Sequence, residues 1–313
     1  MDLGLQLVNF AFGGEAAAAL RSIGTRAERA GFSSLWVTDH LLQIPFVGPP
    51  EADTLEAFGL LSYLAGVTER VQLGVLVAGV TFRNPGVLVK SVTTLDHLSG
   101  GRAWLGLGAA WFEREHRALG IEFPPVKERM ELLEETLQIA HQMWSGQVGP
   151  YRGKHYELAE TLCRPLPLQR PHPPILVGGG GEQRTLALVA RYARACNLMR
   201  YAGRKALARK LAVLDAHCQS LGRDPKSVEK TVTVSLKEAP RFSGEGAKSL
   251  SELLEDMHML SEMGFDTLIY NCLYAHEPWA LEVVAEHLAP AARRLPGFLD
   301  GKKAASSASN HSL

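Results

Sequence analysis

The sequence predicts an α/β fold in which eight parallel strands and eight helices form a (β/α)8 TIM barrel. Short apolar segments alternate with segments of helical periodicity eight times along the chain. Most of the apolar segments end in polar or glycine-rich residues, as barrel strands do where they enter the loops that carry a site. The length of 313 residues suits one barrel, whereas an open doubly wound sheet usually has about six strands.

The predicted strands are runs of apolar and β-branched residues. The third run, residues 71–78, is almost continuous, which is typical of a strand buried on both faces. In chain order the predicted strands are residues 3–8, 34–38, 71–78, 102–106, 175–177, 196–199, 231–235 and 267–270.

The predicted helices repeat apolar residues at helical intervals and have recognisable ends. Pro85 suits the first turn of a helix, and Ser99, Gly100 and Gly101 end that helix. The helical segments are residues 15–31, 55–68, 84–99, 112–144 with a break at Pro124 and Pro125, 182–194, 204–221, 249–263 and 277–295.

Two segments interrupt the alternation, so we expect one domain over residues 1–299 with insertions near 146–168 and 236–248. Residues 151–156 have the pattern of a surface hairpin. The Ser/Ala-rich residues 300–313 are expected to be a disordered tail.

Composition limits the partners. The chain has 33 Lys and Arg residues and 33 Asp and Glu residues, so nothing in its net charge attracts nucleic acid or an anionic membrane. No run approaches the roughly 20 apolar residues of a membrane span, and the N-terminus lacks the basic start of a signal peptide. Four scattered cysteines without a CxxC motif predict a reduced, cytoplasmic protein.

The strongest local signal is a glycine run between a strand and a helix, made of Gly178, Gly179, Gly180 and Gly181. Unobstructed backbone N–H groups at the positive end of a helix bind phosphate without needing lysine. The alternative is a tight turn, but a turn seldom needs four consecutive glycines. The run therefore predicts a phosphate site.

Asp39 and His40 follow the second strand directly. A histidine changes charge near neutral pH and can donate or accept a proton, and the adjacent Asp39 could orient or charge it. The alternative, a satisfied polar histidine, is favoured for His97 instead, which lies late in a helix. We therefore predict His40 and Asp39 as catalytic residues.

A second glycine-rich segment follows the fourth predicted strand, at the exit where the chain leaves the barrel, and contains Gly106, Gly108 and Ala109. Small residues there would allow a flat ring to approach the backbone, although close packing explains them equally well. Trp111, which ends this exit, could be a pocket wall or part of the core.

No metal site is predicted. Glu113 and His116 have the i, i+3 spacing of di-iron bundles, but no second copy of the pair exists. The sequence also lacks an HExxH motif, a GxSxG elbow and a P-loop lysine.

Together these motifs resemble the luciferase-like flavin and deazaflavin oxidoreductases, and within them the coenzyme F420-dependent oxidoreductases. The resemblance covers roughly residues 3–290 and rests on five segments: Trp36-Val37-Thr38-Asp39-His40, Arg83-Asn84-Pro85, residues 95–102, residues 105–111 and residues 175–182.

The resemblance implies a bacterial-luciferase-like barrel with an insertion near strand seven, commonly as a homodimer. The cofactor ring would bind in the barrel mouth against a bulged third strand, often with a non-proline cis peptide, here within residues 76–79. The implied cofactor-binding residues are Asp39, His40, Val77, Ala78, Gly79, Gly106, Gly108, Ala109, Gly178, Gly179, Gly180 and Gly181. Asn9, Trp111 and Met199 are expected in the substrate pocket.

The implied activity is hydride transfer between F420 and a small organic substrate, with His40 supplying or stabilising the proton. In related sugar-phosphate dehydrogenases an acid ends the second glycine exit; Trp111 stands there instead, which argues against that substrate class. Phe46, Val47 and Tyr201 favour an apolar or aromatic substrate. The alternatives are an FMN-dependent monooxygenase served by a separate reductase and a non-catalytic flavin-binding protein.

Overall fold

The barrel is closed in the computed structural model, which describes residues 1–235 and 249–298. Parallel strands follow one another around it. The strand at residues 72–75 pairs with the strand at residues 103–108, and this pairing closes the ring. The barrel strands are β1 (Asp2–Leu7), β2 (Ser34–Val37), β3 (Gln72–Val75), β4 (Ala78–Gly79), β5 (Ala103–Gly108), β8 (Ile175–Gly178), β9 (Ala195–Met199), β10 (Glu229–Ser235) and β11 (Thr267–Cys272). The strands β6 (Tyr151–Arg152) and β7 (Glu157–Leu158) form a separate hairpin. The predicted TIM barrel is confirmed.

The third barrel strand is interrupted, so that β3 and β4 share one position in the ring. Both pieces pair with β5, and a cis peptide bond joins Leu76 to Val77 between them. The sequence pattern predicted a continuous strand here. The bulge and the cis peptide implied by the family resemblance are both present.

The helices lie on the outside of the barrel. Their bounds are α1 (Ala16–Ala30), α2 (Ala57–Val67), α3 (Pro85–Leu98), α4 (Glu113–Ala118), α5 (Val126–Trp144), α6 (Thr185–Tyr192), α7 (Arg204–Ser220), α8 (Leu250–Glu262), α9 (Pro278–Val283) and α10 (Ala289–Ala292), with a π-helical turn at Val284–Leu288. The break at the proline pair is confirmed. The helix expected from residue 182 begins three residues later, after a turn.

The predicted hairpin is confirmed: β6 (Tyr151–Arg152) pairs antiparallel with β7 (Glu157–Leu158). Its turn is attached to α5 because the carboxylate of Glu135 accepts hydrogen bonds from the backbone N–H groups of Lys154, His155 and Tyr156. The other proposed insertion, residues 236–248, and the tail at 300–313 lie outside the described residues. Within residues 1–235 and 249–298, no helix is both long and apolar enough to cross a membrane.

Arg102 joins three elements where β5 begins, at the end of the barrel opposite the candidate site. All five of its N–H groups are bonded: Nε to Ser99 O at 2.6 Å, and the two Nη atoms to Thr68, Val71 and Ala65. Its side chain is 8% exposed. A single guanidinium therefore fixes the end of α2, the start of β3 and the end of α3 relative to one another.

Glu229, at the start of β10, makes stability depend on pH. Burial raises the pKa of its carboxyl to about 7, with Asp266 and Asp2 adding to the rise while Thr267 and Arg194 oppose it. The folded chain then holds this proton more tightly than the unfolded chain. Its contribution to the free energy of unfolding is full below about pH 4.5 and declines as pH rises to about 7.

We expect Glu229→Gln to remove that decline. In urea unfolding, the difference in free energy of unfolding, variant minus wild type, should increase by roughly 2 kcal/mol between pH 5 and pH 8. Glu157→Gln, at a side chain that is 74% exposed, is the matched control and should show no such growth. Parallel pH profiles for Glu229→Gln and wild type would contradict the assignment.

Candidate active site

His40 lies just beyond β2, at the carboxyl ends of the barrel strands. Its side chain is 15% exposed, and its ring packs edge-on against Trp111, with centroids 5.3 Å apart, and against Phe112 at 6.0 Å. Among the described residues no hydrogen-bond partner contacts its Nε2. One ring nitrogen therefore remains available to a bound molecule.

The other ring nitrogen of His40 contacts an acid. Nδ1 lies 2.9 Å from Oε1 of Glu115, a residue of α4 that is 1% exposed. The second oxygen, Oε2, accepts hydrogen bonds from the backbone N–H groups of Leu41 at 2.9 Å and Leu42 at 3.4 Å. Glu115 thereby attaches the loop that carries His40 to the loop that follows β5.

Asp39 does not contact His40, which corrects the expectation that it orients or charges the ring. Its Oδ2 accepts hydrogen bonds from Arg83 Nη1 at 2.8 Å and from the Gly79 N–H at 3.0 Å. Adjacency in sequence therefore does not bring the two side chains together. Burial raises the pKa of Asp39, while Arg83 and the Gly79 N–H oppose the rise.

Trp111 is not part of the core. Its side chain is 53% exposed, and the more exposed Phe46 (79%) approaches it with ring centroids 6.4 Å apart. Trp111 contacts His40 on its other side. An apolar, aromatic wall therefore stands beside the histidine, which favours the pocket interpretation over the core interpretation.

Arg129 holds the backbone that carries Trp111. Its Nη1 donates hydrogen bonds to the carbonyl oxygens of Ala109, at 2.9 Å, and of Ala110, and its guanidinium lies 4.1 Å above the ring of Phe123. Ala110 has a φ of 57°, in the left-handed region that non-glycine residues seldom adopt. Arg129 is 9% exposed, so this turn is fixed from inside the protein.

The glycines of β5 are needed for packing, and this strand extends two residues beyond its predicted end at residue 106. A Cβ atom on Gly106 would lie 2.0 Å from the carbonyl oxygen of Val75, and one on Gly108 would lie 2.5 Å from Val77 Cγ2. A Cβ atom on Gly178 would lie 2.8 Å from the same valine. Close packing therefore explains these positions, and the bulge of the third strand occupies the room that they leave.

We expect Gly106→Ala to lower the free energy of unfolding by about 3 kcal/mol, because the atom in contact is backbone and cannot rotate away. Urea unfolding measures this. Gly149→Ala is the control, since no atom lies within 4 Å of the added Cβ there. Equal stability of the two variants would show that the barrel relaxes at Gly106 without cost.

The predicted phosphate loop follows β8. Gly179, with a φ of 118°, donates its N–H to Asn197 O, whereas the N–H groups of Gly180 and Gly181 donate to no described residue. Lys210 Nζ donates to the carbonyl oxygen of Gly180 and lies 3.5 Å from Glu182 Oε1. Two amides without a partner among the described residues therefore lie in one short loop, and the ammonium group of Lys210 reaches this loop from α7.

The remaining predicted site residues lie on other barrel strands or in the loops after them. Asn9 follows β1 and uses its amide to hold backbone, donating to Leu273 O at 2.9 Å and accepting from Ala11 N at 3.1 Å. Met199 ends β9 and is half-buried. Ala78 and Gly79 form β4, and the Gly79 N–H donates a hydrogen bond to Asp39 Oδ2.

The structural interpretation of His97 is confirmed, because its Nε2 lies 2.8 Å from Leu166 O. His116 is also structural: it is fully buried and lies 2.7 Å from Thr81 Oγ1, whereas Glu113 pairs with Arg117. In the part of the chain that is described, no three His, Cys, Asp or Glu side chains form a group able to hold a metal.

Sequence reasoning missed Glu115 and Arg129. Glu115 lies on a helix of six residues, which is too short to show which face is buried. Arg129 lies in a long charged segment, where an arginine usually faces solvent, although its spacing from Leu133 and Leu137 places it on the buried face of α5. The only signal for Glu115 was its place shortly after a strand exit.

Comparison with known proteins identifies the family. The sequence profile of the luciferase-like monooxygenases matches residues 6–241. The chain belongs to the luciferase-like monooxygenase family. Two relatives in this family are F420-dependent glucose-6-phosphate dehydrogenases: that of Amycolatopsis mediterranei, 33% identical over 54% of this chain, and that of Kineococcus radiotolerans, 29% identical over 75%. The aligned part spans 48% and 62% of their respective lengths.

Three solved structures share the fold. The monooxygenase RslO1 from Streptomyces bottropensis superposes with a TM-score of 0.77 at 18% identity, covering 93% of this chain and 99% of its own. An F420-dependent secondary alcohol dehydrogenase, solved with an F420-acetone adduct, gives 0.76 at 16%, covering 93% and 98%. The oxygenating constituent of 3,6-diketocamphane monooxygenase from Pseudomonas putida, solved with FMN, gives 0.73 at 18%, covering 93% and 98%.

Proposed function

We propose that this protein is an F420-dependent oxidoreductase that exchanges a hydride with a small apolar or aromatic substrate in the barrel mouth. The observation that carries the proposal is a histidine, His40, with one free ring nitrogen beside an exposed aromatic wall. The relatives named as F420-dependent dehydrogenases support the choice of cofactor.

The described residues fit a phosphate-bearing cofactor with a flat ring. The free amides of Gly180 and Gly181, with Lys210 beside them, suit a phosphate group. Asp39 Oδ1 is buried without a hydrogen-bond partner among the described residues, so it can accept from an N–H group of a ring. We propose that Val77, Ala78, Gly79 and Ala109 form the surface behind the ring. Gly106, Gly108 and Gly178 contribute by leaving room for the bulge that carries Val77, and Gly179 lies beside them.

When bound, F420 would supply or receive the hydride, and a residue of the chain must donate or accept the accompanying proton. His40 performs this step, because Nε2 is free to give a proton to a substrate oxygen in reduction or to take one in oxidation. Asp39 serves the cofactor and not the histidine, since Arg83 and the Gly79 N–H occupy its Oδ2.

The substrate class follows from the side chains around His40. Trp111 and Phe46 are large, exposed and apolar, and such surfaces bind planar or aliphatic molecules better than sugar phosphates. Asn9 and Met199 are proposed as further pocket residues. The substrate therefore differs from that named for the glucose-6-phosphate dehydrogenases.

An FMN-dependent monooxygenase is the second candidate, because structural neighbours at similar TM-scores include an FMN-bound oxygenase. A separate reductase would then supply reduced flavin. A non-catalytic flavin-binding protein is the third, and a free histidine nitrogen in the mouth disfavours it.

We further propose a homodimer that works in the cytoplasm. The dimer rests on the family resemblance alone. The reducing compartment is supported by Cys163, Cys196, Cys218 and Cys272, all of which are buried free thiols.

Fluorescence titration with F420, and separately with FMN, tests the cofactor. We expect F420 to bind with a Kd of about 1 μM and FMN to bind at least about tenfold more weakly. Tight FMN binding would favour the monooxygenase, and oxygen consumption would then be measured. Absence of binding by both cofactors would overturn the proposal.

A further inference from the structure

We infer that Glu115 is a positioning residue that sets the tautomer of His40, so that the neutral ring carries its proton on Nδ1 and its lone pair on Nε2. This inference rests on the proposed role of His40. The tautomer itself is a property of the protein without cofactor or substrate.

The hydrogen-bond partners of Glu115 determine the proton positions. Among residues 1–235 and 249–298, every hydrogen-bond partner of its carboxylate is a nitrogen: the N–H of Leu41, the N–H of Leu42 and Nδ1 of His40. The two backbone groups can only donate. An ionised carboxylate has no proton to donate and can only accept hydrogen bonds, so with Glu115 in this form the Nδ1 of His40 donates to Oε1.

The burial of Glu115 makes this arrangement rigid. The residue is 1% exposed, so water cannot replace the ring as a partner, and α4 fixes its backbone. The side chain of free histidine prefers to carry its proton on Nε2, and that tautomer would place the lone pair of Nδ1 against the lone pairs of the carboxylate. The geometry therefore imposes the less common tautomer.

The consequence concerns the free nitrogen. With Nδ1–H fixed, neutral His40 accepts a proton at Nε2, and the protonated ring gives that same proton back, while its positive charge is balanced by Glu115 at 2.9 Å. With the other tautomer, the neutral ring would present N–H to the substrate and could not accept a proton there. Glu115 therefore decides whether His40 can work in both directions.

Glu115→Gln should reverse the tautomer. An amide has one acceptor oxygen, and the backbone N–H groups of Leu41 and Leu42 cannot turn away from it. The oxygen will face them, and the side-chain NH2 group will face Nδ1 of His40. Nδ1 must then accept, so the ring proton moves to Nε2. An aspartate–histidine pair in serine proteases responds in this way to the same change of acid to amide.

Long-range 1H–15N correlation spectra of protein labelled with 15N-histidine, recorded without cofactor at alkaline pH, provide the test. The signals of His40 are assigned by their loss in His40→Gln. We expect a protonated Nδ1 in wild type and a protonated Nε2 in Glu115→Gln. His97 is the internal reference, since its Nε2 contacts Leu166 O and should be protonated in both proteins.

A protonated Nε2 in wild-type His40 would overturn the inference, and this result does not depend on whether any variant folds. An unchanged tautomer in a folded Glu115→Gln would also overturn it, because a space-filling role for Glu115 predicts no change. Failure of F420 and FMN to bind would overturn the proposed function while leaving the measured tautomer intact, so the two failures are distinguishable.

Discussion

His40→Ala is expected to lower turnover by about 10²- to 10⁴-fold, measured with reduced F420 and an acceptor found by screening apolar carbonyl and aromatic compounds. The variant removes the ring nitrogen that is free in the mouth but leaves Asp39, Arg83 and the glycine loop in place. Cofactor affinity should therefore change by no more than about threefold. The loss belongs to the chemical step.

The matched control for that experiment is His287→Ala, at a side chain that is 46% exposed and pairs with its neighbour Glu286. It should retain wild-type turnover. Full activity of His40→Ala with intact F420 binding would remove His40 from proton transfer. Parallel loss of binding and turnover would instead assign it to holding the cofactor.

Arg102→Met should lower the free energy of unfolding by roughly 3–5 kcal/mol, the largest effect on stability that we expect, because several buried acceptors lose a charged donor at once. Methionine fills similar volume but donates nothing. The carbonyl oxygens of Ala65, Thr68, Val71 and Ser99 would all lose their guanidinium partner inside the protein. Arg102→Lys should restore only part of the loss, since an ammonium group has three donors and not five.

Urea unfolding measures that prediction, with Arg114→Met as the control. Arg114 is 61% exposed and lies 3.9 Å from Glu51, so its replacement should change stability by less than about 0.5 kcal/mol. A similarly small effect of Arg102→Met would mean that water satisfies the carbonyl oxygens in its place.

The barrel could be predicted from the sequence because its strands are apolar runs whose limits depend on local composition. Residues 34–38 and 175–177 were each within one residue of the observed β2 and β8. The third strand shows the limit of this reasoning. Its apolar run hides a break at Leu76 and Val77, since the break depends on how Gly106 and Gly108 pack against it from another strand.

The site could be predicted where its residues follow a single strand, as His40 follows β2 and the glycine run follows β8. It could not be predicted where residues after two different strands contact each other. Asp39 is beside His40 in the chain, yet Glu115, 75 positions away, contacts the ring. The closed barrel brings the loops after β2 and β5 together, and this determines which acid contacts the His40 ring.

The loop that begins at Leu41 offers a route to altered substrate range. Gln43 is 1% exposed and donates to Val8 O, which anchors the loop near its start. Beyond it, the backbone turns at Ile44 and presents Phe46 to solvent. A combinatorial library confined to residues 45–47 would therefore vary one wall of the mouth and leave the hydrogen bonds of Glu115 and Arg129 untouched. Laboratory evolution could exchange substrates there without rebuilding the proton-transfer residues.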